Sequence, residues 1–103
     1  EKEALGLYLD GTVSAVLGTH THVQTADDRI LPGGSAYLSD VGMTGPQEGV
    51  IGMKREVSLR RSLTQIPIKM EVENSEAVIM GALVEIDAES GKALSIQRII
   101  LSA

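Results

Sequence analysis

The chain has no cysteine, no tryptophan and no phenylalanine, and its only aromatic residues are Tyr8 and Tyr37. Without cysteine there is no disulfide and no thiolate metal site, so any bound metal must take nitrogen and oxygen ligands. With so few rings, a core has to be assembled from Leu, Ile, Val, Met and Ala, which is thin for an independently folding unit of 103 residues. No apolar run approaches the roughly 18 residues of a membrane span, and no charged-then-apolar leader is visible. The chain opens Glu1-Lys2-Glu3 without an initiator Met. At this length the chain fits one small domain or a piece of a larger one; the opening argues for the piece, and any leader would lie upstream.

Basic charge is also scarce where it would matter for nucleic acid. The net charge is −5, which disfavours stable DNA binding and attachment to anionic membranes. The deficit is local. Residues 1–50 set Lys2 and Arg29 against Glu1, Glu3, Asp10, Asp27, Asp28, Asp40 and Glu48, whereas residues 51–103 balance acid and base. Acid gathered in that half suits a cation site, although solvated surface carboxylates produce the same excess.

Both histidines of the chain fall within Gly18-Thr19-His20-Thr21-His22, where the apolar run Val13–Leu17 ends. If the strand continues, side chains at i and i+2 share a face with Cα atoms about 6.5 Å apart. Two neutral imidazoles would then grip one metal, or one each of two adjacent metals. Polar strand-end residues would give the same pattern. Gln24, Thr25, Asp27 and Asp28 follow directly, which places the pair at a strand-to-loop edge, the usual ligand position in α/β architectures.

Along the chain, residues 1–10 read as a helix stopped by Gly11, followed by a buried strand at 13–17. Arg29-Ile30-Leu31 and 35–39 flank Pro32-Gly33-Gly34 as a hairpin. The glycine-rich stretch 41–53 reads as a loop, and it lacks the Gly-Lys-Ser/Thr ending of a nucleotide P-loop. Residues 54–65 read as a helix with Leu59 and Leu63 on one face and Glu56 paired to Arg60. Clean alternation from Ile66 to Glu73 predicts a half-buried strand. Strands at 78–87 and 93–101 flank the turn 89–92, and the three strands are expected to form one antiparallel sheet.

Helix, buried strand, Gly-x-His-x-His and a following antiparallel sheet resemble the C-terminal half of a calcineurin-like metallophosphoesterase. In that superfamily a Gly-His-x-His element closes the metal-binding sequence; here Thr19 stands where many members have His. A narrower resemblance covers nearly the whole chain. Gly18 to Asp27, Arg29 to Gly34, and Asp40-Val41-Gly42-Met43-Thr44-Gly45-Pro46 are similar to the YmdB-type family of bacterial phosphoesterases, as are Ile51-Gly52-Met53 and Arg61 to Gln65.

This resemblance implies an α/β (α+β) fold, the C-terminal half of a four-layer α/β/β/α sandwich, with residues 1–103 forming part of one metallophosphoesterase domain. It implies a phosphodiesterase hydrolysing 2′,3′-cyclic nucleotides or related phosphodiesters with two divalent or trivalent metal ions (Mn, Fe or Zn), His20 binding one and His22 the other. Two cations neutralise the phosphodiester, share a hydroxide, and stabilise attacking and leaving oxygens. The family's remaining ligands and its leaving-group acid lie upstream, so the 103-residue chain alone is expected to be inactive. Asp27 and Asp40 are candidates to orient the imidazoles by accepting their second N–H, or simply to cap turns. A cytoplasmic location is expected. The competing expectation is a non-catalytic interaction module whose sheet, residues 66–101, self-associates into a homo-oligomer through unpaired strand edges.

Overall fold

The structure, a computed structural model, describes residues 1–102. Two compact units are present among the described residues, Glu1–Met43 with Met80–Ile100, and Thr44–Ile79 with residues 101–102.

The first unit begins with helix α1 (Lys2–Leu9), which ends at Asp10. Gly11 follows with φ +82°, the left-handed position at which glycine stops a helix cheaply. Strands β1 (Ala15–Leu17), β2 (Arg29–Ile30) and β3 (Ala36–Leu38) form a sheet ordered β1-β3-β2. β3 runs parallel to β1 and antiparallel to β2. Paired on both edges, β3 is wholly buried. α1 lies against it at Gly6, where a Cβ would come within 2.7 Å of the Tyr37 ring. The Asp10 carboxylate takes the N–H groups of Gly33 and Ser35, which ties the end of the helix to the expected β2–β3 turn.

Strands β5 (Ala77–Ile86) and β6 (Ala93–Ser102) are hydrogen-bonded neighbours. The Asp87 carboxylate closes their connection by accepting from the Ser90 N–H and hydroxyl, and Gly91 takes φ +75° there.

In the second unit, β4 (Gly45–Pro46) pairs antiparallel with Ala77 and Val78 at the start of β5. Helix α2 (Arg55–Thr64) follows and ends at Gln65 in the left-handed region. Two expectations fail here. Residues 66–73 form no strand beyond a single bridge between Val72 and Met53. Alternation is necessary for a half-buried strand but does not supply a partner: β5 is flanked by β4 and β6, and Pro67 has no N–H to give a ladder. The place goes to the glycine-rich stretch read as a loop. The Glu56–Arg60 pair is also absent from the ion pairs; Glu56 lies 3.9 Å from Arg55 instead.

Mixed α/β architecture is thus present with two helices and two sheets. The apolar residues buried most deeply are few, chiefly Leu31, Ala36, Tyr37, Leu38, Val78 and Ala93, while Leu83, Leu94 and Ile100 stay exposed. No helix among the described residues is long and apolar enough to cross a membrane.

Candidate metal centre

β1 delivers the histidines, but not in the conformation that their spacing suggests. The strand ends at Leu17. Gly18 carries the parallel register one step further, donating its N–H to the Leu38 carbonyl and accepting from the Val41 N–H, both at 2.9 Å. The approach is so close that a Cβ on Gly18 would overlap the Ser39 carbonyl oxygen. This gives the glycine of the motif a physical reason: the strand end must lie against the chain leaving β3.

Beyond it the chain leaves the sheet, and His20 and His22 adopt φ of +137° and +65°. The expectation of an extended His-x-His segment is therefore corrected. Positive φ is uncommon for residues with a Cβ, costs about 1–3 kcal/mol, and clusters at functional sites. Both residues are exposed.

Asp40 holds the peptide between them. It is 1% exposed and follows β3 on the same unit. Its Oδ2 accepts from the Thr21 N–H and the Thr21 hydroxyl, each at 2.7 Å, and its Oδ1 accepts from the Gly42 N–H at 2.9 Å. Lys2 Nζ lies 3.8 Å from Oδ2 and donates to the Thr19 carbonyl at 2.6 Å. Burial, the largest single influence, works against ionisation of Asp40. The Thr21 hydroxyl, the N–H groups of Gly42 and Thr21, and Lys2 together outweigh it and hold the carboxyl below the usual carboxylate range.

Asp27 is engaged elsewhere. Its Oδ1 accepts from the Thr25 hydroxyl at 2.8 Å and the Ser39 N–H at 3.1 Å. Desolvation again opposes its charge, and Ser39 and Thr25 hold its carboxyl below the ordinary value. Both aspartates thus act on the backbone and hydroxyls of the loop, not on an imidazole. An open cleft of about 590 Å3 lies beside them, lined by Lys2, Thr21, Thr25, Asp27, Ser39 and Asp40 among others.

Lys2 was not singled out by sequence. Thr21 carries one usable signal, its place between two candidate ligands with a side chain able to anchor that position. Lys2 carries none, since it meets the loop only through the fold. Gln24, read only as a polar residue, donates through Nε2 to the carbonyls of Val41, Gly81 and Ile99, so it links the loop to β5 and β6.

The sign of the pH dependence follows from these shifts. A carboxyl whose pKa is lowered on folding stabilises the fold above its unfolded value of about 3.9 and loses that contribution as pH falls through the lower, folded value. The Thr21 and Gly42 amide resonances are therefore expected to titrate together below about pH 3.9. A shared midpoint at or above that value would contradict the Asp40 geometry.

Two exposed imidazoles are suitable donors for Mn, Fe or Zn, and no hydrogen bond among the described residues occupies either of them. Among the same residues no group of three or more His, Cys, Asp or Glu side chains converges as a metal site. The donor set fits a metal in kind, while its number requires ligands from beyond these residues.

The family model described as YmdB-like protein matches residues 1–99. The chain is 51% identical over 102 residues to a 2′,3′-cyclic-nucleotide 2′-phosphodiesterase of Bacillus subtilis (strain 168), covering 99% of this chain and 39% of that protein. It is 42% identical over 100 residues to a putative phosphatase/phosphodiesterase of Mycoplasma pneumoniae, covering 96% of this chain and 36% of that protein. Among solved structures, a hypothetical protein from Thermus thermophilus superposes with a TM-score of 0.92 at 41% identity, over 99% of this chain and 40% of the other. A novel phosphatase from Mycoplasma pneumoniae superposes with a TM-score of 0.92 at 39% identity, over 98% and 36%. The chain thus spans about two fifths of the length of its curated relatives. A match this continuous, through the histidine loop and both of its flanking segments, places the chain in the YmdB-like protein family.

Proposed function

We propose that this chain is the C-terminal part of a single metallophosphoesterase domain, and that the full-length protein hydrolyses 2′,3′-cyclic nucleotides or related phosphodiesters with two metal ions. The observation that carries the reading is the pair of exposed imidazoles, His20 and His22, held at positive φ where β1 ends. Strain of that kind persists only where surrounding bonds enforce it. Membership of the family supports the substrate class, since the Bacillus subtilis relative bears that name.

His20 and His22 would each give a ring nitrogen to the metal pair, and the remaining ligands and the leaving-group acid would come from residues outside this chain. When bound, such ions neutralise the charge of a phosphodiester and make an attacking oxygen available at neutral pH. This chain's own part is to present two exposed imidazoles whose rings no hydrogen bond among the described residues occupies. On this reading the 103 residues alone turn over no substrate.

The test is removal and return of metal. Chelation of the full-length protein is expected to abolish hydrolysis of a 2′,3′-cyclic nucleotide, and added Mn2+ to restore it. Turnover unaffected by chelation would overturn the proposal.

A further inference from the structure

The bond pattern around Asp40 is more than a turn requires. One buried carboxylate takes both polar groups that Thr21 can donate, and Thr21 is the residue between the two proposed ligands. On the other side of His20, the Thr19 carbonyl is fixed by Lys2, whose ammonium also faces Asp40. His20 is thus bracketed at both of its neighbours, and His22 departs from a residue pinned by its N–H and its hydroxyl. The third partner of Asp40, the Gly42 N–H, anchors the carboxylate itself. Gly42 has φ +89°, and a Cβ there would lie 2.5 Å from the Met80 sulfur and 3.1 Å from Gln24 Cβ, so the anchor sits where only glycine fits easily.

We infer that Asp40 and Thr21 are positioning residues that hold the backbone of the histidine pair in its positive-φ form and so set the direction of both imidazoles toward metal. The inference rests on the metal-centre reading. It differs from direct orientation of a ring, because the carboxylate acts on the peptide between the ligands and touches neither imidazole. Losing a partner bonded directly to a ligating ring lowers metal affinity by about 10–100-fold, and an effect of that order is expected here through the peptide.

Thr21 is exposed, so Thr21→Val can remove the hydroxyl bond while keeping a β-branched side chain of similar shape. Asp40→Asn keeps the shape of a buried group but turns an amide toward a donor N–H. Mn2+ titration of the metal-free full-length protein well below its melting temperature gives the affinity. Hydrogen exchange of the peptide spanning residues 18–24, without metal, reports the loop. Thr21→Val is expected to weaken Mn2+ binding by about 10–100-fold and to speed exchange in that peptide, with the melting temperature of the metal-free protein little changed; Thr21→Ser restores both. Asp40→Asn should have at least the same effect. If Asp40→Asn does not fold, Thr21→Val decides alone.

Wild-type affinity and exchange in Thr21→Val would overturn the positioning role. That result leaves the metal-centre reading standing as long as His20→Ala and His22→Ala abolish binding. Absence of Mn2+ binding by the wild type, or binding indifferent to both histidines, would overturn the two together.

Discussion

On the proposed function, replacing His20 or His22 with Ala in the full-length protein is expected to lower phosphodiesterase turnover by more than the 10–100-fold that losing a supporting partner of a metal ligand costs, while leaving the fold intact. Both parts follow from the surroundings of the two side chains. They are exposed, and no hydrogen bond among the described residues occupies either ring, so truncation removes little packing. The backbone makes a sharper version available. At His22, φ is +65°, a conformation in which glycine is not penalised and a residue with a Cβ is. His22→Gly should therefore match or exceed the wild type in melting temperature while losing activity. Such opposition between stability and activity marks a strained functional position. Loss of the fold in either alanine variant, or retained turnover in both, would count against the account; parallel melting curves and cyclic-nucleotide assays separate these outcomes.

The second large effect belongs to Gly18. A Cβ there would overlap the Ser39 carbonyl oxygen, which is backbone and cannot rotate away. Gly18 is also hydrogen-bonded on both sides, to Leu38 and Val41, so its own chain cannot move without breaking the register. Gly18→Ala should cost stability toward the upper end of the roughly 1–3 kcal/mol usual for overpacking. Because the displaced segment leads directly into Asp40, the same substitution should, on the proposed function, also weaken metal binding. Gly81 provides the control, since a Cβ added there meets nothing within 4 Å. Gly81→Ala is expected to stay within about 0.5 kcal/mol of the wild type. Equal stability of the two variants in denaturant titrations would contradict the close approach at Gly18.

Features carried by a few neighbouring residues were readable in sequence. The Gly11 stop, the turn at Pro32-Gly33-Gly34 and the β5–β6 connection at 89–92 each depend on local backbone preferences, and all three are present. The strand expected at 66–73 was not formed, because alternation describes a face and not a partner. Gly45 and Pro46, poor strand formers by composition, pair with β5 because the fold brings them to its edge.

The site divides along the same line. His20, His22 and Gly18 were visible as a motif, and its family resemblance predicted what the comparisons found. Their backbone was not visible. Extended spacing suggested a shared face, whereas the loop takes positive φ under bonds from Asp40 and Lys2, which lie 18 or more residues away along the chain from His20 and His22. For Asp40 the sequence leaves two roles open, contact with a ring or capping of a turn; its partners are the Thr21 N–H and hydroxyl and the Gly42 N–H, which is the backbone-capping role.

The central claim is that His20 and His22 are metal ligands, and anomalous scattering tests it most directly. Crystals of the full-length protein grown with Mn2+, measured at the manganese edge, are predicted to give two peaks, one within coordination distance of a ring nitrogen of His20 and the other within the same reach of His22. Well-ordered histidines with no anomalous peak in bonding reach of either ring would contradict it.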